Sequence, residues 1–198
     1  AGTDFREMTA VDLGKAAVGE LLHRTELPFA EVDEVAMGIA LNKPSTTNLA
    51  RLVALGIGLP TGVHCYHMQL ACASSLLTTA HVALSIAAGQ ADVGISGGAE
   101  SLSDMPVTIS EPLRKALMAA QALKRPEEQI AAITQVPLAH FLPQLPPIQE
   151  SYTGYTMGEH TELMVQEWGI TREAQDDYAC RSHRLAAQAV ADGRIPAE

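Results

Sequence analysis

The chain has 198 residues and a formal net charge of −10, with 47% hydrophobic but only 4% aromatic residues. That acidic balance argues against a nucleic-acid partner, which calls for a basic stripe over phosphates, and no apolar run reaches the roughly 18–20 residues of a membrane span without a polar break. The length allows one sizeable core, built mainly from Ala, Leu, Val, Ile and Gly, a composition suited to closely packed helix-on-sheet layers.

Residues 9–24, TAVDLGKAAVGELLHR, carry apolar side chains at helical spacing (Val11, Leu13, Ala17, Val18, Leu21, Leu22), with Thr9 as the N-cap. EVDEVAMGIAL (31–41) reads as a short strand with Val35, Met37 and Ile39 alternating. TNLARLVALGIGLP (47–60) predicts a second helix, ended by Gly56 and Gly58. GVHCYHMQ (62–69) alternates like a strand, a helix follows from Cys72 to Ala88, and DVGISGG (92–98) reads as a buried strand. Helix and strand thus alternate over the first half, the signature of an α/β fold. The alternation implies a strand ahead of the first helix, which this sequence does not contain.

After Pro106 the character changes. Most of the prolines fall here, and the segment predicts a helical and loop excursion, not more sheet. TREAQDDYACRSHRLAAQAVADG (171–193) closes it as a clear helix, capped by Thr171 and stopped by Gly193. The expected organisation is an α/β core over 1–109, a mostly helical excursion over 110–190, and the start of a return to the sheet over 191–198.

The three cysteines, Cys65, Cys72 and Cys180, fit no zinc or redox spacing, so a reducing compartment is expected. His64 and His67 beside Cys65 are read as strand or loop residues and not as metal ligands. Cys72 differs in its place. A strand feeds a sharp turn into a helix that is apolar or small on nearly all sides, which predicts a buried helix. The N-terminal end of such a helix holds unpaired N–H groups and the positive end of the dipole. A thiol there is favoured as thiolate, and its own N–H can point at an oxyanion. A strand-to-helix turn also lies at the C-terminal edge of a sheet, where α/β folds keep their sites. Cys72 is the candidate nucleophile; Cys65 lies in a strand pattern and Cys180 within a helix.

LACASSL followed by GISGGAESLSDMP resembles the thiolase family, the 3-ketoacyl-CoA thiolases. TNLAR (47–51), YTMGEHTELM (155–164) and GITREAQDDYACRSHRLAAQA (169–189) match the family in the same order and spacing. LLHRTELP and LPQLPPIQESYTGYTMG are most similar to the trifunctional-protein β-subunit and bacterial β-oxidation thiolases. The resemblance implies a layered α-β-α N-terminal half with an inserted, mostly helical loop domain covering bound CoA, incomplete without a C-terminal half.

It further implies that Cys72 takes the acyl group as a thioester during thiolysis of a 3-ketoacyl-CoA, with ping-pong kinetics. No metal and no cofactor beyond CoA as substrate is implied. Met157 and Gly158 match the segment beside the acyl group and the pantetheine arm and are expected to contact substrate. Gly97, Gly98, Glu100, Ser101, Ser103 and Pro106 match the turn after a core strand and are expected to scaffold the pocket. Acetoacetyl-CoA thiolases usually carry His where this chain has Thr156, which favours longer acyl chains. Ser75 stands where many relatives have Gly.

The family's base His, its second Cys and its oxyanion Asn and Gly belong to its second half. Neither His160, at a loop-domain position, nor His183, inside a helix, takes over the base role. The 198 residues alone are therefore expected to be inactive. A homodimer or tetramer, a hydratase/dehydrogenase partner subunit and a cytoplasmic location (mitochondrial in a eukaryote) are implied in the same way.

Three other readings compete. GISGG (94–98) matches a hydrolase nucleophile elbow at Ser96, but AESLSDMP runs on into a proline, and Asp176, Asp177 and His183 share one helix. A ketoacyl-synthase-type condensing enzyme would also use a cysteine. The Pro-rich, partly apolar segment 116–147 suggests a non-catalytic interaction module.

Overall fold

Strand β1 (Glu34–Gly38) is the centre of the molecule's sheet, and all five of its residues are buried. β2 (His64–Met68) and β3 (Gly94–Gly98) flank it, both parallel, in the order β2-β1-β3. The register sets Val35 opposite Cys65 and Ile95, and Gly38 opposite Met68 and Gly98. Parallel neighbours need crossovers, which helices supply here. This computed structural model describes residues 4–194. The chain divides into two compact units, Ala1–Pro146 and Pro147–Glu198.

In the first unit, side-chain alternation along the strands separates two faces. Val35, Met37 and Ile95 join one core with Val18 and Leu22 of α1 (Ala10–Thr25) and with Leu49, Ala50, Val53 and Ala54 of α2 (Leu49–Gly56). Leu49, Val35 and Val53 are fully buried, each worth about 1.5–3 kcal/mol. The opposite face is small or polar. A Cβ on Gly38 would lie 2.6 Å from the Ser74 carbonyl carbon, one on Gly94 would strike Val82, and one on Gly98 would strike the Ser75 hydroxyl. Glycines at these places let α3 (Ser74–Ala87) lie directly on the sheet. The result is a three-layer α-β-α arrangement, as the family resemblance implies.

The ends of the elements follow local chemistry. Thr9 caps α1 in a reciprocal capping box: its hydroxyl accepts from the Asp12 N–H at 3.2 Å, and its own N–H donates to Asp12 at 3.1 Å. Asn48 caps α2 through the Arg51 N–H at 3.0 Å, and its side-chain amide donates to the Cys65 carbonyl of β2 at 2.9 Å. α2 stops at Gly56, and Gly58 behind it takes a positive φ of 93°, in keeping with the two glycines expected to end it.

Helix α3 departs from expectation twice. It begins at Ser74 and not at Cys72, because the chain is still turning there. It is also not buried all round: Ser74, Thr78 and Val82 are buried, whereas Leu76, Leu84 and Ile86 are exposed. Within this chain, one sheet covers one face of the helix. Beyond β3, α4 (Glu111–Gln121) and α5 (Pro126–Thr134) pack on each other in the predicted helical excursion.

The second unit contains α6 (Met157–Glu167) and α7 (Arg172–Ala191). Thr171 caps α7 by accepting the Ala174 N–H at 3.2 Å, and Gly193 beyond it takes φ 67°. Both match the sequence reading. The expected return to the sheet over 191–198 lies largely outside the described residues; Ala191 is still helical.

Candidate active site

Between the end of β2 at Met68 and the start of α3 at Ser74 the chain must turn sharply. Ala71 takes φ 43°, the left-handed region, which costs a residue with a Cβ about 1–2 kcal/mol. The Ala73 N–H donates to the Leu70 carbonyl at 2.9 Å, and the Ser74 N–H to the Ala71 carbonyl at 3.3 Å. Cys72 stands at the apex of this turn and is exposed. No side chain caps α3, and the turn leads into the positive end of its dipole, which favours negative charge.

Cys72 opens into a cleft of about 380 Å³ at the C-terminal ends of the three strands, lined among others by Gly38, Ala40, Ser75, Gly98 and Glu100. This is the edge at which open α/β sheets hold ligands. Glu100 fixes one wall: a single carboxylate oxygen accepts the Ala40 N–H at 2.7 Å and the Leu41 N–H at 3.0 Å. Gln69 braces the same loop by donating to the Ala40 carbonyl at 2.5 Å. Thr78 spans α3 and β3 through the Gly97 carbonyl at 3.1 Å, and the Ser101 hydroxyl donates to the Met8 carbonyl at 2.7 Å. Glu100 and Ser101 make tertiary contacts through their side chains. Gly98 permits close approach to Ser75, whereas a Cβ at Gly97 would meet nothing within 4 Å.

Met157 and Gly158 open α6 in the second unit, directly after the Thr156 cap. The Thr156 hydroxyl accepts the Glu159 N–H at 3.3 Å, and the Thr156 N–H donates to the Glu159 carboxylate at 2.7 Å. That hydrogen bond holds the Glu159 carboxyl below its ordinary range. Met157 is 70% exposed. No crowding forces glycine at 158; the nearest atom to an added Cβ is 3.9 Å away. His160 is engaged locally, with a ring nitrogen 2.9 Å from the Thr153 hydroxyl and an edge contact to Tyr155.

The other candidates are held elsewhere. Cys65 is half-buried, and burial pushes its thiol up against an opposing interaction with Arg51. Cys180 is exposed on α7. Ser96 lies within β3, its hydroxyl 3.1 Å from that of Thr79, and not on a strand-to-helix turn. That placement removes the geometric basis of the hydrolase reading. His67 faces the Asn42 amide at 3.5 Å. Among the described residues, no group of three or more His, Cys, Asp or Glu is placed to hold a metal ion, and no helix is long and apolar enough to cross a membrane. Sequence reasoning missed Gly38, Ser74 and the two-fold acceptor role of Glu100. A glycine ending a buried strand was the available signal for Gly38. The partners of Glu100 lie 59 and 60 residues away in sequence, beyond the reach of local pattern.

Residues 1–198 match the family profile described as "Thiolase, N-terminal domain". The chain is 38% identical over 197 residues to a 3-ketoacyl-CoA thiolase of Escherichia coli (strain 55989 / EAEC), covering 100% of this chain and 45% of that protein. It is 39% identical over 196 residues to a 3-ketoacyl-CoA thiolase of Salmonella paratyphi C (strain RKS4594), with 99% and 45% covered. It thus spans less than half the length of these curated relatives. Its fold superposes on the crystal structure of the Bacillus anthracis acetyl-CoA acetyltransferase with TM-score 0.74 and 28% identity, covering 97% of this chain and 44% of that one. A thiolase from Ascaris suum in complex with coenzyme A shares the fold at TM-score 0.75 and 23% identity, with 97% and 46% covered.

Proposed function

This chain belongs to the thiolase family, and we propose on that premise that it carries the nucleophile of a 3-ketoacyl-CoA thiolase. The observation supporting this most directly is Cys72 at the strained turn between β2 and α3, open to the cleft at the C-terminal ends of the strands. In the proposed reaction the Cys72 thiolate attacks the ketone carbon of a 3-ketoacyl-CoA. The bond between the α and β carbons breaks, its electron pair leaves on the acetyl-CoA carbon, and that carbon takes up a proton. The acyl group then rests on sulfur as a thioester. The thiol of a second CoA attacks it, loses its proton, and releases the shortened acyl-CoA and the Cys72 thiolate. No electron is gained or lost overall, so the scheme calls for no cofactor beyond CoA as substrate.

Met157 and Gly158 are assigned to contact with the acyl-pantetheine arm, and the helical segment 110–190 to cover over bound CoA. The exposed Met157 side chain and the open space at Gly158 support that assignment. The proton-transfer groups are assigned to the family's second half. On this reading the 198 residues alone do not complete the cycle, and robust turnover by them would contradict it. A cytoplasmic setting, or a mitochondrial one in a eukaryote, and a homodimer or tetramer belong to the same reading.

Exposed Leu138, Leu142 and Leu145 support the additional reading that 116–147 docks a hydratase/dehydrogenase subunit. Capture of that subunit, lost on deleting 124–145, is its test. For the catalytic reading the test is kinetic. The protein at its natural length should give parallel reciprocal plots when 3-ketoacyl-CoA and CoA are varied together, and Cys72→Ser should abolish turnover. Intersecting plots, or an active Cys72→Ser variant, would refute it.

A further inference from the structure

We propose that Ser74 is the positioning residue for Cys72, an inference that rests on the thiolase reading only for what Cys72 does. The Ser74 side chain is buried, at 4% exposure, and its hydroxyl does two things. It accepts the Leu70 N–H at 2.8 Å and donates to the Ala71 carbonyl at 2.6 Å. One oxygen therefore clasps both residues that precede Cys72. Ala71 is the residue held at φ 43°, a conformation that persists only where its surroundings over-determine it.

Ser74 is itself fixed. It is the first residue of α3 and lies against Gly38 at the end of β1, with no room for a methyl group between them. The position of the sheet is thus passed through Gly38, the Ser74 backbone and the Ser74 hydroxyl to the turn that displays the thiol. Neighbouring Ser75 makes no such clasp; its hydroxyl faces Gly98. Without the Ser74 hydroxyl, the Leu70 N–H and the Ala71 carbonyl each lose a partner, and side-chain-to-backbone bonds of this kind decide local backbone geometry. The turn can then relax out of the left-handed region, carrying the sulfur away from the helix N-terminus and the cleft.

The test is alkylation of the folded protein by iodoacetamide at neutral pH, followed cysteine by cysteine by peptide mass spectrometry. Exposed Cys180, on α7 of the other unit, is the internal reference. Ser74→Ala should lower the Cys72-to-Cys180 rate ratio about tenfold, since alkylation follows how the turn presents the sulfur to reagent. Ser74→Thr, which keeps the hydroxyl, should restore the ratio to within about twofold of the parent. Should Ser74→Ala fail to fold, the same comparison is made in an Ala71→Gly background. Glycine there removes the strain so that the chain folds, while its wider backbone freedom leaves the turn dependent on the Ser74 hydroxyl for its position, and the ratio should again fall. An unchanged ratio in folded Ser74→Ala, or in Ala71→Gly with and without Ser74→Ala, would overturn the proposal, as would a Ser74→Thr ratio as low as that of Ser74→Ala. Acylation of Cys72 by a 3-ketoacyl-CoA is read separately. Its absence would sink the thiolase reading, whereas acylation with a ratio indifferent to Ser74 would sink this inference alone.

Discussion

A methyl group added at Gly38 has nowhere to go. Its carbon would sit 2.6 Å from the Ser74 carbonyl carbon and 2.7 Å from the Ser75 nitrogen, both backbone atoms that cannot swing aside. Gly38→Ala should therefore destabilise the fold by about 1–3 kcal/mol, the usual cost of overpacking. Gly97→Ala, with nothing within 4 Å of the new carbon, should stay within about 0.5 kcal/mol. Urea unfolding of the two variants checks the pair, and equal effects would contradict the close approach of α3 to the sheet. At this scale the sequence was legible where chemistry and local pattern coincide. Cys72 was singled out as a candidate by the strand, turn and helix around it together with the family resemblance, and Thr9 and Thr171 were read as caps from the helices that follow them. Ser74 was not found, because a serine beside a cysteine carries no sign that its hydroxyl closes the turn. Glu100 read as scaffold, but the atoms it holds were not readable, since Ala40 and Leu41 meet it only after folding.

Glu34 ties three elements together. The Tyr66 hydroxyl of β2 donates to one of its carboxylate oxygens, and the Ser85 hydroxyl of α3 donates to the other at 2.6 Å, with Glu34 itself buried on β1. Burial, and then the bond to Glu34, push the Tyr66 phenol up to about 12. The neutral phenol is the form the fold prefers. Its contribution is complete below the unfolded value of about 10 and is lost as pH rises from there through about 12. Stability measured across that range should fall more steeply for the parent than for Tyr66→Phe; parallel curves would contradict it. At the other end of the chain, Thr156→Ala breaks the capping box of α6 and should cost about 1 kcal/mol. A lowered thermal midpoint checks it, and no change would show that α6 does not depend on this cap. Element order and type were legible from period and punctuation. Lengths were read too long for the strands, because the sequence pattern continues past the last ladder bond. The burial of α3 was overread, because composition says that a face is apolar but not what covers it.

For the whole molecule, a three-strand parallel sheet with α1 and α2 on one face and α3 on the other accounts for the placement of one thiol at a strand-end cleft. Residues 1–198 match the thiolase N-terminal domain throughout, and 45% of the relatives' length is represented. On the proposed reading the chemistry is divided: this segment would bring the acyl acceptor, and the base would come from the remainder of the family fold. The most direct test of Cys72 as that acceptor is peptide mass mapping of the protein at its natural length. The protein is exposed to acetoacetyl-CoA or a longer 3-ketoacyl-CoA, quenched, and then treated with free CoA. The account predicts an acyl group on the Cys72 peptide that free CoA removes. A thioester on Cys65 or Cys180, or an unmodified Cys72 in protein that turns over substrate, would contradict it.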